Sequence, residues 1–269
     1  MGANSEEDSR SVRASDWRCS LREVLGVKVT ASSYEAVAER SLEWAQRGES
    51  KAVCFTTVHM LMEAHDDPKL HALLNQMDIV NPDGMPVVWS LRALGERDAT
   101  RVYGPDATVY LLQVAQDADI PVAFYGGSKS TLETLLAEVK RRYPRLKIAF
   151  ALSPPFRPLT EAEDAEITTQ ICDSGARMVF VGLGCPKQEF WVMSHRGRIP
   201  AVLFAVGAAF DFFAGTKAQA PRWMMRSGLE WLFRLVSEPR RLAGRYMKHN
   251  PRFVVLILKQ LMGRRAASG

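Results

Sequence analysis

Asp83 is the carboxylate whose neighbours best suit it to chemistry, since it stands between Pro82 and Gly84 just after a short apolar run. A rigid turn there can point the side chain into a cleft, where it would act as general base for a hydroxyl nucleophile. Pro-Asp-Gly is also a common turn sequence, so the tripeptide alone leaves both readings open. A second stretch is 179–191, Val-Phe-Val-Gly-Leu-Gly-Cys-Pro-Lys-Gln-Glu-Phe-Trp. Met178–Val181 reads as a buried parallel strand, Gly182 and Gly184 turn the chain, and Lys187, Gln188 and Glu189 open a helix behind Pro186. Free N–H groups and the helix dipole converge at such a junction, making it a generic anion or phosphate site; an ordinary βα turn is the plain alternative. No third glycine follows at dinucleotide spacing, and no acid sits about 20 residues beyond a first-turn fingerprint, which speaks against a nicotinamide oxidoreductase. Arg101 can pair with a phosphate or lie idle on the surface. His59 and His65 have no metal-like partners in sequence, and the four cysteines form no C-x-x-C pair, so no metal site is expected and a reducing compartment is.

The elements that must position these residues follow from periodicity. Strands are expected over Glu23–Val29, Ala52–Val58, Asp78–Val80, Pro121–Tyr125, Lys147–Leu152, Met178–Val181 and Ala201–Val206. Helices are expected over Ser33–Arg47, over Met60–Met77 with a break near Asp66–Pro68, and over Met85–Leu94. Further helices are expected from Gly104-Pro105-Asp106 to about Ala118, then over Thr131–Tyr143 and Glu161–Ser174. This alternation implies an α/β fold, a Rossmann-like, mostly parallel sheet with helices on both faces. Ligands in such sheets sit beyond the carboxyl ends of the strands, where Thr57, Asp83, Gly126, Gly127 and Gly184 fall.

Charge divides the chain. From Lys217 to Gly269 there are twelve Lys and Arg against two acids, whereas the preceding part is net acidic. The expected organisation is a lead-in over 1–15 that is disordered, an α/β domain over 16–215 and a basic helical appendage over 216–269. The lead-in is polar, with no apolar core of a secretory signal, and no run reaches the length of a membrane span. Arg222, Arg226, Arg234, Arg240, Arg241 and Arg245 are interleaved with Trp223, Trp231, Phe233 and Tyr246 at helical spacing. That composition suits an interfacial helix on anionic lipid. A solvated basic face on a packed helix and a nucleic-acid surface are the other readings.

Several segments in order resemble the WecG/TagA/CpsF family of bacterial glycosyltransferases. They are Thr57-Val58-His59, Asn81-Pro82-Asp83-Gly84, Arg101 with Gly104, Tyr125-Gly126-Gly127, Gly182-Leu183-Gly184-Cys185-Pro186-Lys187-Gln188-Glu189, Gly207–Phe212, Ala220-Pro221-Arg222, Gly228-Leu229-Glu230-Trp231 and Glu238-Pro239-Arg240-Arg241. The likeness runs from about residue 23 to about 255. It implies an inverting, metal-independent transfer without cofactor, from a UDP-sugar to a polyprenyl-diphosphate-linked sugar in cell-surface polysaccharide assembly. The family's catalytic aspartate falls on Asp83, its threonine on Thr57 and its arginine on Arg101. Donor contacts fall on His59, Gly126, Gly127, Gly184, Lys187, Gln188 and Glu189. Where the family usually has Asn, two places after the threonine, this chain has His59. The six tail arginines would meet an anionic membrane or the acceptor diphosphate, and docking would carry them over the cleft. The implied location is cytoplasmic, peripheral on the inner face of the bacterial plasma membrane, with a possible homo-oligomer and no nucleic acid. A catalytically inactive, membrane-associated scaffold is the alternative.

Overall fold

The computed structural model describes residues 19–268, so the expected lead-in over 1–15 lies outside the described residues. The chain opens with a hairpin, β1 (Leu21–Val24) and β2 (Val27–Thr30), where a single strand was expected. The split has a local cause: Leu25 and Gly26 both take positive φ, 52° and 83°, the backbone of a two-residue type I′ turn. Next come α1 (Tyr34–Arg47), β3 (Lys51–Thr56), α2 (Val58–Asp66), α3 (Pro68–Leu74), β4 (Ile79–Pro82), α4 (Met85–Ala93) and α5 (Gly104–Asp117). They lead into β5 (Val122–Gly126), α6 (Lys129–Arg142), β6 (Ile148–Leu152), α7 (Glu161–Asp173), β7 (Met178–Gly182), α8 (Lys187–His195) and β8 (Val202–Ala205). The C-terminal part is helical: α9 (Ala209–Phe213), α10 (Arg222–Arg226), α11 (Glu230–Ser237) and α12 (Pro239–Ser268).

Six strands form one parallel sheet in the order β4-β3-β8-β7-β5-β6. Because side chains alternate across a strand, each strand feeds two cores. Val53, Phe124, Phe180 and Phe204 face α1, α5, α6 and α9; Cys54, Tyr125, Val181 and Leu203 face α2, α3, α4 and α8. The expectation of helices on both faces therefore holds. Phe253 and Ile257 of α12 are buried in the second of these cores, so the basic tail has no core of its own.

The edge strand β4 carries Asp83 at its end, and its exposed side is covered. Thr30 Oγ1 accepts the Val80 N–H at 3.3 Å, and Ser32 Oγ donates to Asn81 Oδ1 at 2.7 Å. Asn81 Nδ2 in turn donates to the Cys54 carbonyl on β3 at 3.2 Å. Pro82, which has no N–H to offer the ladder, ends the strand at this edge. The hairpin is also tied to the other end of the chain: Gln260 on α12 accepts the Leu25 N–H at 3.0 Å and donates to the Glu23 carbonyl at 2.6 Å.

Candidate active site at the carboxyl end of the sheet

A cleft of about 1460 Å³ opens beyond the carboxyl ends of the strands and is roofed by α11 and α12. Asp83 lies on its floor, buried and held from three directions. Its own N–H donates to the Thr56 carbonyl at 2.9 Å, which extends the β3–β4 pairing by one residue. Its Oδ2 accepts the Gly104 N–H at 3.2 Å, at the N-terminus of α5. Its Oδ1 takes Arg101 Nη2 at 3.1 Å, and Arg101 Nε also donates to the Asp83 carbonyl. Burial raises the Asp83 carboxyl above its ordinary value; Arg101 pulls it down and Glu230 pushes it up again. A carboxylate so placed is a stronger base than one on the surface.

Arg101 lines the cleft with its charge already shared between two carboxylates. Its guanidinium also pairs with Glu230 on α11 at 2.7 Å. Glu230 pairs with Arg234 one turn on at 2.8 Å, and Arg234 donates to the Tyr103 hydroxyl at 3.0 Å. Arg101 and Arg234 lie on the Tyr103 ring, 4.2 and 6.0 Å from its centroid. Asp83, Arg101, Glu230 and Arg234 thus form a chain of alternating charge across the seam between body and tail. Burial works against the charge of both arginines, yet their acidic neighbours hold them protonated above the ordinary range.

Other expected residues gather around the same space. Thr57 caps α2 by accepting the Met60 N–H at 3.4 Å, which leaves its hydroxyl proton for a partner in the cleft. Gly127, Gly184 and Lys187 line the cleft, the last on the exposed first turn of α8. Gln188 reaches the wall, but both ends of its amide are engaged: Oε1 accepts the Gly184 N–H at 3.1 Å and Nε2 donates to Glu189 at 2.9 Å. It fixes the glycine turn. Gly126 and Glu189 do not line the cleft. At Gly126 the neighbouring strand passes so close that a Cβ would fall 2.5 Å from the Gly182 carbonyl oxygen, a packing reason for the glycine. His59 faces Glu63 and His249 of α12.

Of the tail arginines, Arg234, Arg241 and Arg245 line the cleft in the protein as it stands, whereas Arg222 and Arg240 are exposed outside it. The Arg226 side chain lies outside the described residues. Arg241 pairs with Glu238; Arg245 has no ion pair among the described residues. Sequence reasoning missed Tyr103, Glu230 and His249 as cleft residues. The i,i+4 spacing of Glu230 and Arg234 signals a helical ion pair, but nothing in it says that the pair closes on Arg101.

Glu189 is fully buried beneath the glycine turn, beside the Cys185 thiol. Burial pushes its carboxyl up to about 7, against the hydrogen bond from Gln188. The folded chain therefore holds this proton more tightly than the unfolded chain. The stabilisation is complete below the unfolded value of 4.5 and is lost as pH rises to about 7. At about 1.4 kcal/mol per pH unit this amounts to about 3 kcal/mol. Glu189→Gln is expected to match the parent in thermal stability at pH 4.5 and exceed it at pH 8; parallel melting curves across that range check it.

The fold and this cleft are those of a chain whose family is now visible in full. Residues 22–267 match the model of the glycosyl transferase WecG/TagA/CpsF family, and the chain belongs to that family. It is 34% identical over 198 residues to an N-acetylglucosaminyldiphosphoundecaprenol N-acetyl-beta-D-mannosaminyltransferase of Bacillus spizizenii, covering 73% of this chain and 74% of the relative. A protein of the same description from Bacillus subtilis is 32% identical over 189 residues, covering 70% and 71%. No described helix is long and apolar enough to cross a membrane.

Proposed function

We propose that this chain transfers a sugar, with inversion, from a UDP-sugar to a polyprenyl-diphosphate-linked sugar. The names of its two relatives point to N-acetylmannosamine as the sugar moved and to lipid-diphosphate N-acetylglucosamine as the acceptor. The observation that carries the reading is Asp83, a buried carboxylate of raised basicity on the floor of a cleft large enough for a nucleotide sugar and an acceptor head. The acceptor hydroxyl oxygen attacks the anomeric carbon from the face opposite UDP and its proton passes to Asp83. The bond from anomeric carbon to diphosphate oxygen breaks, and UDP departs with the electron pair. Arg101 acts as a positioning residue that aims Asp83. Positive charge for the departing diphosphate comes from Arg245, Lys187 and the N-termini of α6 and α8, where Ser128 and Thr131 add hydroxyls.

The tail supplies the membrane contact in this reading. Trp223, Trp231 and Val236 are exposed on α10 and α11, and Arg222 and Arg240 flank them. Aromatic and apolar groups enter the interface while arginines meet anionic headgroups.

The test is UDP release with a short-chain lipid-diphosphate N-acetylglucosamine acceptor across a panel of UDP-sugars. Turnover with UDP-N-acetylmannosamine is expected. Turnover with UDP-glucose or the uronic acid alone would change the donor and keep the reaction. Silence across the panel with folded, UDP-binding protein, on lipid-linked glucose as well, would overturn the transferase reading.

A further inference from the structure

His59, Glu63 and His249 meet at the back wall of the cleft, where α12 crosses α2. His59 and Glu63 stand one turn apart on α2, four residues being the spacing that puts two side chains on the same face. His249 comes from α12, a stretch 190 residues away in sequence. The three ligand atoms all lie within 4.8 Å of one another. Glu63 Oε1 is 3.2 Å from His249 Nε2 and 3.8 Å from His59 Nδ1. Ligands bound tetrahedrally at about 2.1 Å stand about 3.4 Å apart, so both measured edges are within about half an ångström of that spacing.

The chemistry of the donors points the same way. His59 Nδ1 is buried and makes no hydrogen bond among the described residues, a vacancy that a folded protein seldom leaves. Arg245 and Lys248 lie near His59. The cluster brings two imidazole nitrogens and a carboxylate oxygen together, the ligand types a metal of this class takes. The nearby cations are partly offset: Asp66 pairs with Arg252 at 2.6 Å and lies 4.0 Å from Lys248. His59 and His249 both line the cleft.

We propose that His59, Glu63 and His249 form a binding site for a divalent transition metal of the zinc class, which clasps α12 to α2. Two imidazoles and one carboxylate are a borderline donor set that takes Zn²⁺ or Co²⁺ in preference to Mg²⁺ or Ca²⁺. The site stands independently of the transferase reading and acts on the attachment of the tail rather than on the transfer step.

The test uses the full chain without tag histidines, stripped with a chelator and titrated with Co²⁺, then Zn²⁺. One Co²⁺ per chain is expected, with the visible spectrum of a four-coordinate ion, displaced by Zn²⁺ and accompanied by slower amide exchange around residue 249. Loss of an outer-shell partner costs about ten- to a hundredfold in affinity, so His59→Gln and His249→Gln, which remove ligands, are expected to lose at least that. His65→Gln, exposed on the same helix, is expected to bind as the parent does. If melts in chelator show a His variant unfolded, Glu63→Gln, which keeps the shape and removes the charge, is read in its place. No stoichiometric binding, or binding unchanged in the ligand variants, would overturn the proposal.

Discussion

Asp83→Asn is expected to lower turnover by about 10²- to 10⁴-fold, the usual contribution of a positioned base, while UDP affinity stays within a few-fold of the parent. Asn is the informative replacement because its Oδ1 can still accept from Arg101, as Asp83 Oδ1 does at 3.1 Å. The bond that Oδ2 accepts from the Gly104 N–H at 3.2 Å is lost together with the site that receives the proton, which is why UDP affinity is measured alongside turnover. The pH profile of the parent carries the same information. An ordinary aspartate titrates near about 3.9, whereas burial raises this one, so the acid limb of kcat/KM is expected above that pH. That limb should vanish from whatever activity Asp83→Asn retains. Parent-like turnover in the variant would remove Asp83 from the role of base.

Arg101→Ala is the second change with a large expected effect, and it acts on stability as well as rate. Arg101 is shared by Asp83 at 3.1 Å and Glu230 at 2.7 Å, all three largely out of solvent. Removing the cation leaves two carboxylates facing one another in a site that cannot hydrate them. Loss of one partner from a buried pair costs about 3–5 kcal/mol. Chemical denaturation should show this, and Arg101→Ala/Glu230→Ala should recover part of it, because the second change removes one of the stranded charges. A merely structural arginine would not move the pH profile. Here the acid limb is expected to shift upward, since Arg101 is the group that lowers the Asp83 carboxyl. Additive effects of the two substitutions would show that the bridge carries no coupling.

Much of this architecture is legible along the chain because it depends on local signals. Strand–helix alternation gives the α/β sheet, and Thr57, Asp83 and Gly184 fall at strand ends because the carboxyl edge is where polar and glycine residues interrupt apolar runs. The hairpin at Leu25-Gly26 is not legible, since leucine rarely adopts a left-handed backbone and gives no turn signal there. Glu189 lies away from the cleft for a rotational reason. Lys187 opens α8 toward the cleft, and two further steps of about 100° each turn Glu189 inward beneath the turn. The double pairing of Arg101 fails to show because its second partner, Glu230, arrives from the tail. The His59–Glu63–His249 cluster is equally invisible, although His59 and Glu63 already have the right spacing, because the third member is set by how α12 packs.

The two ends of the described chain are fastened together, and this gives the tail a second line of communication with the floor of the cleft. Gln260 grips the Leu25 N–H and the Glu23 carbonyl in the opening hairpin. That hairpin, through Thr30 and Ser32, splints β4, and β4 delivers Asp83. Lifting the tail therefore does more than withdraw Glu230 and Arg234 of α11 from the roof. It unlatches a belt that runs around the outer edge of the sheet, so the same motion slackens the aspartate from below.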